Sequence, residues 1–479
     1  MDTVGSGCMS CSIPGMEDAG CIFLFGYNPA DSHPIVARRI VRAKEKGCKI
    51  IVADPRHIET ARIADLYLPI KNGCNVAFLN AFANCLVNDG LYDKEFVAEH
   101  TNGFDEWWET IKNYTPESVQ DITGVDPALI HQAAEMYATA KPSAIIGWGM
   151  GVCQQKQNLK TVHTIASIAC VAGQIGKPNS GLAPVRGQNN VQGSCDMGML
   201  PNLYPGYQKV TDPAARAKFA KAWGVPEEKL PLEEGYKLTD LGHLVDEGKV
   251  HCFYNYGEDP VQTEPDSAGM RKTLSELDLF ICQDIFMTQT TMLADVILPA
   301  TSWGEHEGVF TASDRSFQHF DAAVPPKGEC RHDWEIFADL STRMGYPMHY
   351  DNTEQIWNEC ISLCPNFVGA TYEKMAPEGG YAQWPVKSTD VNDHGTPDMF
   401  AGGKFTTKDG RANLMAHDWE APSELPDDEY PLILCTVREV GHYSCRSMTG
   451  NCKTLALLAD EPGFVRMNPA DGAQDERVL

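Results

Sequence analysis

Short runs that are apolar at every position, separated by turn residues and amphipathic stretches, set the layout of this chain. Cys21 to Phe25 (CIFLF) is one such run and ends in Gly26-Tyr27-Asn28-Pro29-Ala30-Asp31-Ser32. Its continuous apolarity suits a strand buried on both faces, as in a parallel sheet. Pro34 to Lys46 follows with helical spacing, Ser32 as the expected cap, Pro34 in the first turn and Gly47 as terminator. Lys49 to Ala53 (KIIVA), closed by Asp54-Pro55-Arg56, predicts a second buried strand, and Ala64 to Pro69 a third. Strand, helix and strand in that order predict a right-handed parallel crossover. Ser143 to Ile146 predicts a strand running into Gly147-Trp148-Gly149-Met150-Gly151, and Leu159 to Val171 a helix with Val162, Ile165 and Ile168 on one side. His163 in that helix reads as structural, and the aromatic stretch Phe104 to Trp108 as core.

The first layout returns later in the chain. His251 to Tyr256 (HCFYNY) runs into Gly257-Glu258-Asp259-Pro260; Leu277 to Cys282 ends in Gln283-Asp284; Ala294 to Pro299 completes the set. Gly26 and Gly257 are 231 residues apart, and Asp54 and Asp284, like Asp65 and Asp295, are 230 apart. Landmarks in register and in the same order predict two related α/β lobes.

A glycine after a strand lets backbone approach a pyrophosphate, and the next helix offers free N–H groups. An acid at the following strand end, Asp54 in one lobe and Asp284 in the other, suits ribose hydroxyls or a base edge; the same residue types also make plain turns. The run 147–151 lacks the GxGxxG spacing, which disfavours a nicotinamide cofactor. Two polar stretches add candidate chemistry. Gly181 to Gly198 is rich in glycine and amides around one cation, Arg186, which can clamp a carboxylate bidentately; a solvated linker is the competing reading. Thr436 to Asn451, expected after a strand at Leu432 to Leu434, gathers two arginines, His442 and hydroxyls.

With 479 residues the chain is long enough for about three domains. Its formal net charge of −26 argues against nucleic acid and anionic lipid as partners, and no stretch is apolar enough to span a membrane. The first twenty residues show no secretory signal, so the 17 cysteines read as cytoplasmic thiols, many of them buried. Cys8 and Cys11 form a Cys-x-x-Cys without a fourth ligand at metal-site spacing.

Longer stretches carry a resemblance. FGYNPADSHPIVA (Phe25 to Ala37), KIIVADPRHIETARIAD (Lys49 to Asp65), PVRGQNNVQGSCDMG (Pro184 to Gly198), QDIFMT with ADVILPATSWGEHEGVFT (Gln283 to Thr311) and TVREVGHYSCRSMTGN (Thr436 to Asn451) resemble the molybdopterin oxidoreductases of the dimethyl-sulfoxide-reductase type. Within them they look most like the catalytic subunits of molybdenum formate dehydrogenases. The resemblance implies two Rossmann-like α/β lobes, 1–187 and 188–393 with an excursion at 303–324, plus the start of a C-terminal β-barrel domain at 394–479. It implies two molybdopterin guanine dinucleotides holding one molybdenum or tungsten. Asn28, Asp31, Asp54 and Arg56 would serve one nucleotide, and Asp259, Thr263, Gln283, Asp284, Ser302 and Asp333 the other. Met150, Arg186, Gln188, Arg438, Glu439, His442 and Ser444 would approach the pterins and metal, with Arg186 holding formate. An electron-accepting protein subunit would take two electrons from formate oxidation.

The family pattern also carries four cysteines for a [4Fe–4S] cluster and a selenocysteine or cysteine metal ligand followed by His; none matches here. Met1 to Ala19 resembles text just downstream of that ligand. The expectation is therefore an incomplete reading of a longer gene, with a selenocysteine codon taken as stop, and a chain that by itself oxidises no formate. A nitrate reductase of the same superfamily and a non-catalytic relative like the iron–sulfur subunit of complex I are the alternatives.

Overall fold

The computed structural model describes residues 1–437, 441–443, 445–458 and 464–469; Arg438, Glu439 and Ser444 lie outside these. The chain divides into two compact units, Met1–Leu238 with Thr301–Thr436, and Thr239–Ala300 with Val437–Leu479. These units cross the boundaries expected at 188 and 394.

In the first unit, β1 (Cys21–Phe25), β2 (Lys49–Ala53), β3 (Leu66–Leu68), β4 (Ala144–Trp148) and β5 (Gly181–Pro184) are all parallel and lie in the order β3-β2-β1-β4-β5. β1 and β2 occupy the expected spans because both of their faces are covered. Cys21, Phe23, Phe25, Ile51 and Ala53 enter one apolar cluster with residues of the helices Asn75–Asn88 and Asn158–Val171. Ile22, Leu24, Ile50 and Val52 enter a second cluster with Val36, Ile40 and Ala43 of the helix Pro34–Glu45. Phe23 stacks on Phe82 at 5.4 Å and Phe25 on Phe78 at 5.6 Å. Trp107 is buried in the first cluster, with Phe104 and Trp108 packed against it.

Three local expectations need correction. Ser32 caps nothing: it ends a single-turn helix, Pro29–Ser32, where its hydroxyl donates to the Asn28 carbonyl at 2.7 Å, and His33 takes the N-cap position of the next helix. The glycine- and amide-rich stretch from 181, expected as a ligand-contacting loop with a linker as the competing reading, does not begin as a loop. Its start is the edge strand β5, with Leu182 and Ala183 buried on opposite faces, and Val191–Asp196 is helical. Leu432 to Leu434 is no strand: the three side chains are 48, 50 and 79% exposed and pair with no strand among the described residues.

An antiparallel sheet of β9 (Gly308–Thr311), β10 (Ser316–Phe320) and β11 (Ala382–Gln383) also belongs to the first unit, and buries Phe317 in its main cluster. Its first two strands come from the 303–324 stretch. From 394 on, the described residues contribute one two-residue strand, Ala412–Asn413, paired in parallel with Thr101–Asn102.

In the second unit, β6 (Cys252–Tyr256), β7 (Leu279–Asp284) and β8 (Val296–Pro299) form a parallel sheet in the order β8-β7-β6. It repeats the backbone of the first sheet. Ile51 pairs with Leu66, and Ile281 with Val296. The Gly26 N–H donates to the Ala53 carbonyl and the Gly257 N–H to the Gln283 carbonyl, each at 2.9 Å. Asp65 accepts from the Ile50 N–H at 2.8 Å, and Asp295 from the Phe280 N–H at 2.7 Å. The recurring aspartates at 65 and 295 therefore join one strand to the approach of the next.

Candidate functional site

β1 and β4 are the neighbours at which strand order reverses, and the carboxyl ends of such strands open the crevice where α/β sheets take ligands. Gly26, at φ +55°, leads out of β1, and Gly149 and Gly151 out of β4. A Cβ on Gly151 would stand 2.6 Å from the Gly26 carbonyl oxygen, and one on Gly149 2.9 Å from Tyr27 Cδ2. These glycines let the two loops touch, which accounts for the 147–151 run without a dinucleotide fingerprint. Met150, between them, is 43% exposed.

Asn28, Asp31, Asp54 and Arg56 meet at this edge. Asn28 Nδ2 donates to Asp31 at 2.7 Å and to Glu59 at 3.3 Å, and Arg56 Nη2 pairs with Asp31 at 3.4 Å. Asp54 accepts from the Arg56 N–H at 2.9 Å, and burial pushes its carboxyl up. Tyr27 Oη and Asn28 Oδ1 are buried here without a hydrogen-bond partner. Each such group costs about 1–3 kcal/mol until something pairs with it. The edge is thus built to receive a polar ligand.

Arg186 lies two residues beyond β5. Its carbonyl is 2.5 Å from His33 Nε2, a ring whose pKa burial lowers, and its N–H donates to Ser313 Oγ at 3.0 Å. Its Nε donates to Gln192 Oε1 at 3.2 Å and its Nη2 to the Gly7 carbonyl at 3.2 Å. Behind it runs a buried polar chain. Gln192 Nε2 donates to Asp196 Oδ1 and to Tyr207 Oη, both at 2.8 Å, and Trp384 Nε1 donates to Asp196 Oδ2 at 2.9 Å. Gly187 and Gln188 next to Arg186 are exposed, and a Cβ on Gly187 would meet nothing within 4 Å. A held guanidinium beside an open, amide-bearing loop suits a small anion.

Sequence reasoning did not single out Gln192, Asp196, Tyr207 or Trp384. The i,i+4 spacing of Gln192 and Asp196 was a local signal; Trp384, 188 positions from Asp196, had none. Cys8 and Cys11 are buried thiols, and burial pushes Cys11 up to about 12.

In the second unit Asp259 and Gln283 are buried. Asp259 Oδ1 accepts from Thr290 Oγ1 at 2.6 Å, Gln283 Oε1 accepts from Tyr254 Oη at 2.5 Å, and Asp284 accepts from the Phe286 N–H at 3.0 Å. Thr263, exposed, ends the turn Pro260–Thr263, the counterpart of Pro29–Ser32. Burial pushes the Glu258 carboxyl up, helped by Glu264, Asp284 and Asp259. His442 Nδ1 is 3.0 Å from Thr449 Oγ1, while its Nε2 is buried without a partner. Ser302 and Asp333, grouped with this lobe by the sequence, belong to the first unit. The Ser302 N–H donates to Glu305 at 2.8 Å, and Asp333 begins the helix Asp333–Arg343.

Two repeated parallel sheets with polar loops at their carboxyl ends, one of them carrying a held arginine, are an α/β architecture that takes ligands at its strand ends. The molybdopterin oxidoreductase family matches residues 1–343, and the chain belongs to that family. It is 55% identical to formate dehydrogenase H of Escherichia coli (strain K12), covering 100% of this chain and 67% of that protein. It is 42% identical to the F420-dependent formate dehydrogenase 1 subunit alpha of Methanococcus maripaludis, over 98% of this chain and 68% of that one. Among solved structures, acetylene hydratase from Pelobacter acetylenicus shares the fold at a TM-score of 0.72 and 23% identity, covering 95% of this chain and 65% of that one. No helix among the described residues is long and apolar enough to cross a membrane.

Proposed function

We propose that this chain is the greater part of the catalytic subunit of a molybdenum formate dehydrogenase, in which Arg186 holds the formate carboxylate. The observation that carries the reading is the Arg186 guanidinium, fixed by Gln192 and Gly7 at the carboxyl edge of the sheet beside the exposed Gly187 and Gln188. The relatives at 55 and 42% identity, both formate dehydrogenases, favour formate over nitrate.

The residues present fit the family's cofactor. The unpaired Tyr27 Oη and Asn28 Oδ1 at one edge, and the unpaired His442 Nε2 in the other unit, are buried polar atoms without protein partners. Asn28, Asp31, Asp54 and Arg56 would take one guanine nucleotide. Asp259, Thr263, Gln283 and Asp284 would take a second, the carboxylates matching the donor edge of guanine. Met150, Gln188, Arg438, Glu439, His442 and Ser444 would line the pterins. A metal held by that cofactor would supply the two-electron acceptor that conversion of formate to carbon dioxide and a proton requires. Arg186 contributes orientation: formate has three heavy atoms, so one bidentate clamp fixes most of its freedom. Its charge also opposes dissociation of the anion before oxidation. A [4Fe–4S] cluster and an accepting subunit would carry the electrons onward.

The test is formate-dependent dye reduction by the molybdenum-loaded holoenzyme, with metal and guanylate content measured in parallel. Two guanylates per metal and at least a 100-fold loss of kcat/KM in Arg186→Ala, at unchanged metal content, are expected. Formate oxidation that survives Arg186→Ala would overturn the assignment.

A further inference from the structure

The polar chain behind Arg186 has a direction. An ionised carboxylate only accepts hydrogen bonds. Asp196 therefore turns the Gln192 amide nitrogen toward itself and Tyr207, at 2.8 Å each, and the amide oxygen toward Arg186 Nε at 3.2 Å. Asp196 and Gln192 are 0 and 1% exposed, so no bulk water competes for these bonds. The far side of Asp196 is closed by the Trp384 indole N–H at 2.9 Å, and its backbone carbonyl by the Gly206 N–H at 2.8 Å.

We infer that Asp196 is the positioning residue of this site: through Gln192 it sets the direction in which Arg186 presents its guanidinium to a carboxylate substrate. The inference rests on Arg186 being the formate clamp. Once Asp196 is protonated it carries a donor of its own, and the acceptor-only partner that favoured one sense of the Gln192 amide is gone, leaving the Arg186 and Tyr207 bonds alone to hold it. Turned over, the amide sets its NH2 against the Arg186 N–H, donor facing donor, and the clamp loosens.

The switch falls within reach of ordinary pH. Burial pushes the Asp196 carboxyl up to about 7, against the hydrogen bonds of Gln192, Tyr207 and Trp384 and the nearby charge of Arg186. The other ionisable groups facing it are Cys8, Cys195, Cys364 and Tyr207. Burial raises Cys8, Cys195 and Tyr207, and contact with Cys360 together with burial raises Cys364, so all four stay neutral near pH 7.

A purely Coulombic role for Asp196 has the opposite sign. Neutralising a carboxylate near Arg186 would strengthen anion binding at low pH, whereas loss of positioning weakens it. The experiment measures formate binding to the full chain by calorimetry at pH 6 and 8, where formate is ionised throughout. In parallel, the Trp384 indole and Arg186 Nε–H resonances are followed across the same range. The expected result is a formate Kd at least fivefold higher at pH 6 than at pH 8, with both resonances titrating together near pH 7. In Asp196→Asn the pH dependence disappears, and in Gln192→Ala the Trp384 resonance still titrates while Arg186 no longer follows. Tighter or unchanged formate binding at pH 6 overturns the inference, as does an Arg186 resonance indifferent to the Trp384 titration. If formate binds at neither pH while the two resonances titrate together and Gln192→Ala uncouples them, the positioning role stands and the formate reading falls.

Discussion

Arg315→Met removes a buried, multiply bonded guanidinium from the first unit. Arg315 is 0% exposed and sits at φ +76° in the turn between β9 and β10. Its guanidinium donates to the carbonyls of Met9 (2.7 Å), Thr396 (2.9 Å), Pro397 (2.8 Å) and Trp384, and lies 5.6 Å from the Trp384 ring centroid. One side chain thus ties the first ten residues to the 384–397 segment. Methionine keeps the apolar stem and removes every donor. The Thr396 and Pro397 carbonyls are partly exposed and can recruit water, so the loss falls on the buried Met9 and Trp384 carbonyls. At about 1–3 kcal/mol for each stranded acceptor, less what is regained by not burying a charge, the net loss is about 3 kcal/mol. Set against a total stability of ~5–15 kcal/mol, that is a large fraction. Hydrogen exchange reads it locally. The Trp384 and Met399 amides, which donate to the Arg315 and Ser10 carbonyls, should lose about two orders of magnitude in protection. Arg315→Lys should recover less than half, because one ammonium cannot span four carbonyls in different directions. Unchanged protection in Arg315→Met, or a stability loss under ~1 kcal/mol, would refute the reasoning.

Asp196 should also leave a mark on global stability. Its folded pKa of about 7 stands above the ordinary 3.8, so its contribution is fully present below pH 3.8 and is lost as pH rises to 7. The slope is about 1.4 kcal/mol per pH unit in that window. Denaturant unfolding should show this downward slope in the wild type and a flatter curve in Asp196→Asn; parallel curves would count against a raised carboxyl. The repeat predicts a matched pair of local effects: Asp65→Ala should speed exchange of the Ile50 amide and Asp295→Ala that of Phe280, each by ~1–3 kcal/mol of lost acceptor. An effect in one unit without its counterpart in the other would break the structural equivalence.

What a single stretch of chain encodes was legible without the fold. CIFLF and KIIVA announced buried parallel strands because apolarity at every position leaves no face for water, and β1 and β2 occupy those spans. The 230-residue register announced two related sheets, because a repeated backbone needs its glycines and acids at repeated places. Arg186 stood out as a lone cation among amides.

The fold alone decided what depends on partners remote in sequence. Gly181–Pro184 carries the glycine and proline of a loop, yet β4 supplies a row of backbone groups to pair with, and the segment becomes an edge strand. Leu432 to Leu434 is apolar enough for a strand, and without a neighbour to pair with it forms none among the described residues. The support behind Arg186 joins residues 186, 192, 196, 207 and 384, and Arg315 gathers carbonyls from positions 9 to 397. Periodicity reports which face of an element is covered. It carries no record of which distant donor will meet which acceptor, since that is settled only when the layers pack and every buried polar group must find its partner.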